Sequence, residues 1–410
     1  MRNFGVLAVF ALLAAAGCVS VDNEARRARN DLAVGNFAYP LEWSEKLAQK
    51  STYSKNWGLL EVGRVNMLAG DRDKALESFR MAIDSAVDRN ESAPVLKLSD
   101  VGNTVLAATI TDDRTREYYL SPYELNLALE YAILLQAMKG DLDSARVDSR
   151  LAVYVQDTLV STYGADLEKN REGAKKGTSE VMEKENAAVM ELMEGTRNSY
   201  ENPLLWYLTG VMFEADEDES FEMALKSYQK AAIIKPDNEV FMRAASRTKR
   251  FDQNKGRLIV IYEDGIIPMR ESIKVPVPVY TAMSIDIPSY RNHTASALPA
   301  KKTVDGKLLS LAVDVRALAY RDLQDQLPGV ITRNITRAAT QIAAQAAANN
   351  AGNGYVQLAV LAGNAVVSAI RRADTRSWVT LPNAQYVWEA EVEPSGEIAA
   401  GQTKIIWIHN

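Results

Sequence analysis

The sequence predicts an α-helical repeat array followed by a smaller α+β region. Three observations lead there. Small and aromatic residues recur at helical-hairpin spacing between residues 31 and 252. Composition changes at Asp252-Gln253-Asn254-Lys255-Gly256. Beyond it, strand-like runs stand on either side of Ala-rich helical ones. The 410 residues, 47% hydrophobic and 24% charged, have an ordinary globular composition. A net charge of −6 gives no global basic excess for nucleic acid. One cysteine and two histidines exclude an internal disulfide, a Cys/His zinc cluster and most histidine-based catalysis.

The N-terminus reads as an address. Met1-Arg2-Asn3 is a short positive segment, and Phe4 to Gly17 is fourteen residues without a charge. A membrane-spanning helix needs about 20, so this stretch suits the core of a signal peptide. It ends Ala14-Ala15-Ala16-Gly17, directly before Cys18. The pattern resembles the lipobox of bacterial lipoproteins, in which the cleaved chain begins with a lipid-bearing cysteine. Cys18 is the only cysteine, and Ala15 stands where lipoboxes more often have Leu. Residues 1–17 are then the signal peptide, and 18–30 the lipidated Cys18 with a short tether. Val19, where Asp would favour retention at the inner membrane, points to the outer membrane, facing the periplasm. The best later candidate for a span, Tyr355 to Ile370, is only sixteen residues and holds Gln357 and Asn364.

Residues 31–252 carry the repeats. In Leu59 to Ile83, Gly63, Gly70, Ala75, Phe79 and Ala82 have the spacing of a tetratricopeptide (TPR) unit. Small residues let two helices approach, Gly70-Asp71 turns between them, and Phe79 fills the gap. Leu127 to Ala152 repeats the offsets with Gly140-Asp141, Ala145 and Ala152. Leu204 to Asn238 repeats them with Trp206, Gly210, Ala224, Tyr228, Ala231 and Pro236, over a turn about two residues longer. Gly35 and Pro40 suggest a degenerate first copy. The stretch from 85 to 120 does not follow the pattern. Ser99 to Pro122 reads as a loop with aromatic anchors. Tyr118, Tyr119 and Tyr123 either line a partner surface or, the favoured reading, bury their rings and keep their hydroxyls in water. Glu168 to Tyr200 reads as a long, partly exposed helix or helix pair. The acidic run Glu214 to Glu222 lacks the ligand spacing of an EF-hand and reads as a solvated loop.

Residues 256–410 form the α+β region. Arg257 to Tyr262 is a buried-strand run, and Pro276 and Pro278 confine Ser272 to Tyr280 to an edge or extended segment. Ser284 to Ile287 and Thr303 to Leu309 add strands. Helices are expected at Leu311 to Gln326, Gly329 to Asn349 and Tyr355 to Arg372, the last two as an Ala-rich hairpin turning at Asn349 to Gly354. That hairpin is expected to pack within the domain, with an interface to another protein or a second copy as the alternative. Strands return at Ser377 to Leu381, Gln385 to Val392 and Thr403 to His409. Arg371, Arg372 and Arg376 with Asp374 are expected to cap the helix end and bridge to the next strand, with an anion or glycan site as the alternative.

Taken together, the lipobox, GDRDKALESF, REYYLSPYE, NPLLWYLTG, ALKSYQKAAIIKPDN, LPGVITR and ADTRSWVTLP resemble a family of bacterial TPR-containing lipoproteins of uncharacterised activity. The resemblance covers nearly the whole mature chain, and LPGVITR and ADTRSWVTLP are its most distinctive parts. It implies an envelope lipoprotein with helical repeats and an α+β C-terminal region, and no catalytic residues.

The expected function is a lipid-anchored scaffold or adaptor that offers the concave face of its repeats to envelope protein partners. A cell-wall or polysaccharide-binding accessory factor is the second reading, supported by Tyr118, Tyr119, Trp378 and Trp388. The candidate partner-binding residues are Tyr118, Tyr119, Tyr123, Arg371, Arg372, Arg376 and Trp378. The sequence has no nucleophile elbow, P-loop or dinucleotide fingerprint. No enzyme activity, cofactor or metal is expected, and a carboxylate-based hydrolase is the third reading. Oligomeric state is not legible.

Overall fold

A computed structural model describes residues 22–50, 53–88, 95–96, 116–172, 178–179, 181–183, 190–193, 195–215, 221–277, 284–290, 292–293, 297–350 and 373–410. Helices come first: α1 (22–33), α2 (Ala38–Lys50), α3 (Lys55–Ala69), α4 (Arg72–Ala86), α5 (Pro122–Lys139), α6 (Leu142–Thr158) and α7 (Gly164–Glu172). A short strand pair, β1 (Val87–Asp88) and β2 (Val95–Leu96), follows α4. Then come α8 (Pro203–Glu214), α9 (Phe221–Ile234) and α10 (Glu239–Ala245). A helical array followed by an α+β region is therefore what the chain builds.

The helices pair as hairpins, and the reason is local. Gly70 and Gly140 end α3 and α5 in the left-handed conformation, at φ 89° and 81°, which costs glycine little. Asp71 and Asp141 follow and accept the backbone N–H of Lys74 and Ser144, starting α4 and α6. Close approach then needs absent side chains. A Cβ on Gly63 would stand 2.4 Å from the Phe79 ring, and one on Gly210 would stand 2.5 Å from Tyr228. The first helices of the pairs, α3, α5 and α8, are buried almost throughout. The second helices bury Ala75 and Ala82, Ala145 and Ala152, Ala224 and Ala231, and turn their other faces outward.

The later strands are β3 (Gly256–Asp264), β4 (Glu271–Pro276), β5 (Ser284–Ser289), β6 (Lys301–Val304), β7 (Lys307–Asp314), β8 (Ala384–Val392) and β9 (Thr403–His409). Five form a sheet in the order β6-β7-β8-β3-β9, with β9 parallel to β3 and the other neighbours antiparallel. β4 and β5 form a separate antiparallel pair.

Two expectations need correction. Helices expected to begin at Leu311 and to break near Pro328 are one 36-residue helix, α11 (Val315–Asn350), with Pro328 inside it. Leu311 to Asp314 belongs instead to β7. The expected strand Ser377 to Leu381 pairs with no strand among the described residues and runs as an irregular strap. The Ala-rich turn after Asn350 and the segment Tyr355 to Arg372 lie outside the described residues.

Alternation along β3 divides the sheet faces. Ile259 and Ile261 enter the same apolar core as the helical array, together with Trp378, Val387 and the buried face of α11. Val260 and Tyr262 join a smaller cluster on the opposite face with Leu309, Leu311 and Tyr386. The array and the C-terminal region thus share one continuous core.

Candidate functional site

The inner face of the array is where a partner segment was expected, and the chain's own strap lies on it. Residues 373–382 cross α3 and α5. Trp378 is 0% exposed, its ring 5.7 Å from Phe79 and 5.8 Å from Tyr131. The strap backbone is held by helix side chains. Glu61 accepts the Val379 N–H at 2.8 Å, the Thr380 hydroxyl at 2.5 Å and the Trp57 indole N–H at 2.9 Å. Glu124 accepts the Trp378 N–H at 3.0 Å, and Arg64 Nε donates to the Thr380 carbonyl at 3.2 Å.

Further along, the sheet continues the contact. Arg64 pairs with Glu263 of β3 at 2.6 Å, and Tyr131 donates to the same carboxylate at 2.7 Å. Gln385 of β8 donates to Glu130 at 2.6 Å. At the far end Glu214 of α8 takes Arg257 of β3 at 2.8 Å, Arg247 at 2.9 Å and the Tyr228 hydroxyl at 2.7 Å. Arg257 and Arg247 also pair with Glu389 of β8.

Burial sets the protonation of this seam. It pushes the carboxyl of Glu61 up to about 7, against the bonds from Thr380, Val379 and Trp57 that favour the charged form. Burial raises Glu130 to about 8. Asp322 of α11 also reaches about 7 through burial, opposed by the adjacent Arg270.

Beside the strap lies a cleft of about 120 Å³. It brings together Tyr118, Tyr119 and Arg376 with two residues that sequence reasoning missed, Arg270 and Arg333. Arg376 follows the expected helix end, which lies outside the described residues. Its guanidinium straddles Asp374, with bonds of 2.8 and 2.6 Å, and donates to the carbonyls of Tyr53 and Arg116. It therefore ties the strap to loops of the array. Tyr118 is nearly buried, and its hydroxyl bonds to Glu124 at 2.5 Å rather than to water. The Tyr123 hydroxyl faces the same carboxylate at 3.4 Å. Tyr123 and Trp378 are core residues with no surface to offer a partner. Tyr119, 38% exposed, is the tyrosine of the three that reaches solvent. Trp388 is half-buried beneath Lys307. Cys18, Arg371 and Arg372 lie outside the described residues.

A larger hollow of about 490 Å³ lies between residues 195–203 and the start of α11. Its charged walls are paired internally, Lys235 with Asp237 and Arg316 with Asp314. His293 bonds to the Met269 carbonyl at 2.8 Å, and His409 stacks near Trp407. Among the described residues no group of three or more His, Cys, Asp or Glu is placed to hold a metal ion. No described helix is long and apolar enough to cross a membrane. No family model, curated protein or solved structure matches the chain.

Proposed function

We propose that the chain is a lipid-anchored envelope scaffold whose helix pairs are TPR-like repeats. The observation that carries the reading is the recurrent hairpin chemistry. A glycine faces an aromatic ring across the pair at Gly63 and Phe79, and again at Gly210 and Tyr228. The two offsets, 16 and 18 residues, differ by the two residues of the longer turn. Cys18 supplies the anchor and holds the protein near envelope partners, which raises their effective concentration.

The groove is not free to receive a partner, because the strap and sheet lie in it. Partners then dock on the outward faces of α4, α6 and α9, where Met81, Val147 and Ile233 are exposed. The polysaccharide reading keeps only Tyr119 and Trp388 as accessible aromatics, since Trp378 is buried.

Crosslinking in cells, with affinity purification and mass spectrometry, tests the proposal against a Cys18→Ser control. Envelope proteins captured only by the anchored form, through peptides of α4, α6 or α9, are the expected result. Persistence of the Cys18→Ser protein in washed membranes would sink the anchoring claim. Co-purifying glycan over a clean protein background would shift the assignment to the polysaccharide reading.

A further inference from the structure

Very little backbone joins Cys18 to the folded body. Cys18 stands four residues before Asp22, and Asp22 belongs to α1. An extended chain covers at most about 3.6 Å per residue, so Cys18 lies within about 14 Å of Asp22. A compact chain of this length has a radius of gyration of about 22 Å. The tether is therefore shorter than the body it holds. Only the surface near Asp22 can meet the bilayer that takes a lipid on Cys18.

α1 belongs to the body and not to the tether, which was expected to run to residue 30. Ala25, Ala28 and Leu32 are buried. Arg26 pairs with Glu271 at 2.9 Å, and Arg29 donates to the Ile267 carbonyl. Asp22 accepts the Thr375 hydroxyl at 3.1 Å, which fixes the start of α1 against the start of the strap.

The strap then shows what else lies on this side. Arg376, next to Thr375, donates to the carbonyls of Tyr53 and Arg116. Those bonds bring the turn before α3 and the loop before α5 beside the start of α1. Tyr53 is 50% exposed, and Lys50 and Lys55, both exposed, flank it in sequence. Tyr119, also exposed, follows in the second loop. The charges nearest the start of α1 cancel in pairs, Arg26 with Glu271 and Arg376 with Asp374.

Resting on the lipid-anchor reading, we propose that this face lies against the phospholipid headgroups of the anchoring leaflet. Tyrosine suits that layer because its ring is apolar and its hydroxyl is wet. The lysine ammonium groups beside Tyr53 meet lipid phosphates. Tyr53 and Tyr119 thus sit in the interface, and the far end of the array, at α9, stands off the membrane.

The test uses the full lipidated chain in vesicles of phosphatidylethanolamine and phosphatidylglycerol that carry a nickel-chelating headgroup. A nitroxide is placed by Tyr53→Cys, Tyr119→Cys or Ile233→Cys. Lipidation occupies the sulfur of Cys18, so the label takes only the introduced thiol. Thermal midpoints confirm that each variant folds. Nickel should relax the labels at 53 and 119 several-fold more than the label at 233. Either label at or below the level of 233 overturns the proposal and leaves the anchor standing. Lys50→Glu with Lys55→Glu should lower the relaxation at 119, and no change there would overturn the headgroup contact. A chain whose mass shows no lipid on Cys18 sinks the anchor reading, and this proposal with it.

Discussion

Glu61 is a carboxylate in a place where charge is expensive. It lies fully buried on α3 and accepts three bonds from Trp57, Val379 and Thr380. Its folded pKa of about 7 lies above the ordinary 4.5, so the native state pays to ionise it. That cost is absent below about pH 4.5, grows as pH rises, and levels off above pH 7. Glu61→Gln keeps the geometry, because its amide can donate to the Thr380 oxygen while its carbonyl still accepts. The variant should gain thermal midpoint over the wild type at pH 8 and gain little at pH 5, which calorimetry at both pH values will check. A gain of equal size at the two would contradict the assignment. Trp378→Ala should cost about 3–5 kcal/mol in urea unfolding, the range for losing a fully buried large aromatic side chain. Sequence reading favoured buried rings for Tyr118 and Tyr123 and kept them, with Trp378, as candidate partner residues, because aromatic residues in loops serve both roles. Only the fold shows that Glu124 satisfies both tyrosine hydroxyls and the Trp378 N–H. Arg270 and Arg333 were missed because they lie 63 residues apart and meet across a cleft.

The helix pairs were the most legible part of the sequence, because their determinants are local. Gly70-Asp71 and Gly140-Asp141 specify turn and N-cap within two residues, and each does what its chemistry dictates. Replacing Gly140 by Ala forces a side chain into the left-handed region and should cost about 1 kcal/mol, with the helices retained by circular dichroism. The middle pair departs from its neighbours: Ile133 and Ser149, both fully buried, occupy the positions of Gly63 and Phe79 relative to the joint. A large residue on the first helix and a small one on the second reverse the arrangement of the first pair. Elements that depend on distant partners were less legible. Pro328 and Gly329 look like a break, yet α11 runs through them while packed on the β4–β5 hairpin, where Asn334 donates to the Asp286 carbonyl at 2.9 Å. Trp378 to Leu381 has strand-like composition, but its backbone N–H groups go to Glu61 and Glu124 rather than to a neighbouring strand.

At the scale of the whole molecule, the polar residues on α3 and α5 make sense only with the C-terminal region in place. Glu61, Arg64, Glu124 and Glu130 are buried charge-bearing residues of these helices, and each meets a partner from residues 256–410. The fragment 31–252 alone would leave these groups and the apolar face around Phe79 and Tyr131 uncovered. It should therefore show a broad urea transition and bind a hydrophobic dye, whereas the full chain unfolds sharply. For the buried pair of Arg64 with Glu263, the cost of desolvating both charges offsets much of their attraction. The most direct measurement is native-state hydrogen exchange at the amides of Trp378 and Val379. If the strap is an integral occupant of the groove, both should exchange only through global unfolding, with the same denaturant dependence as Ile259 and Ile261 of β3. Exchange at the rate of an open loop, while β3 stays protected, would show that the strap leaves the groove and that its inner face is available to a partner.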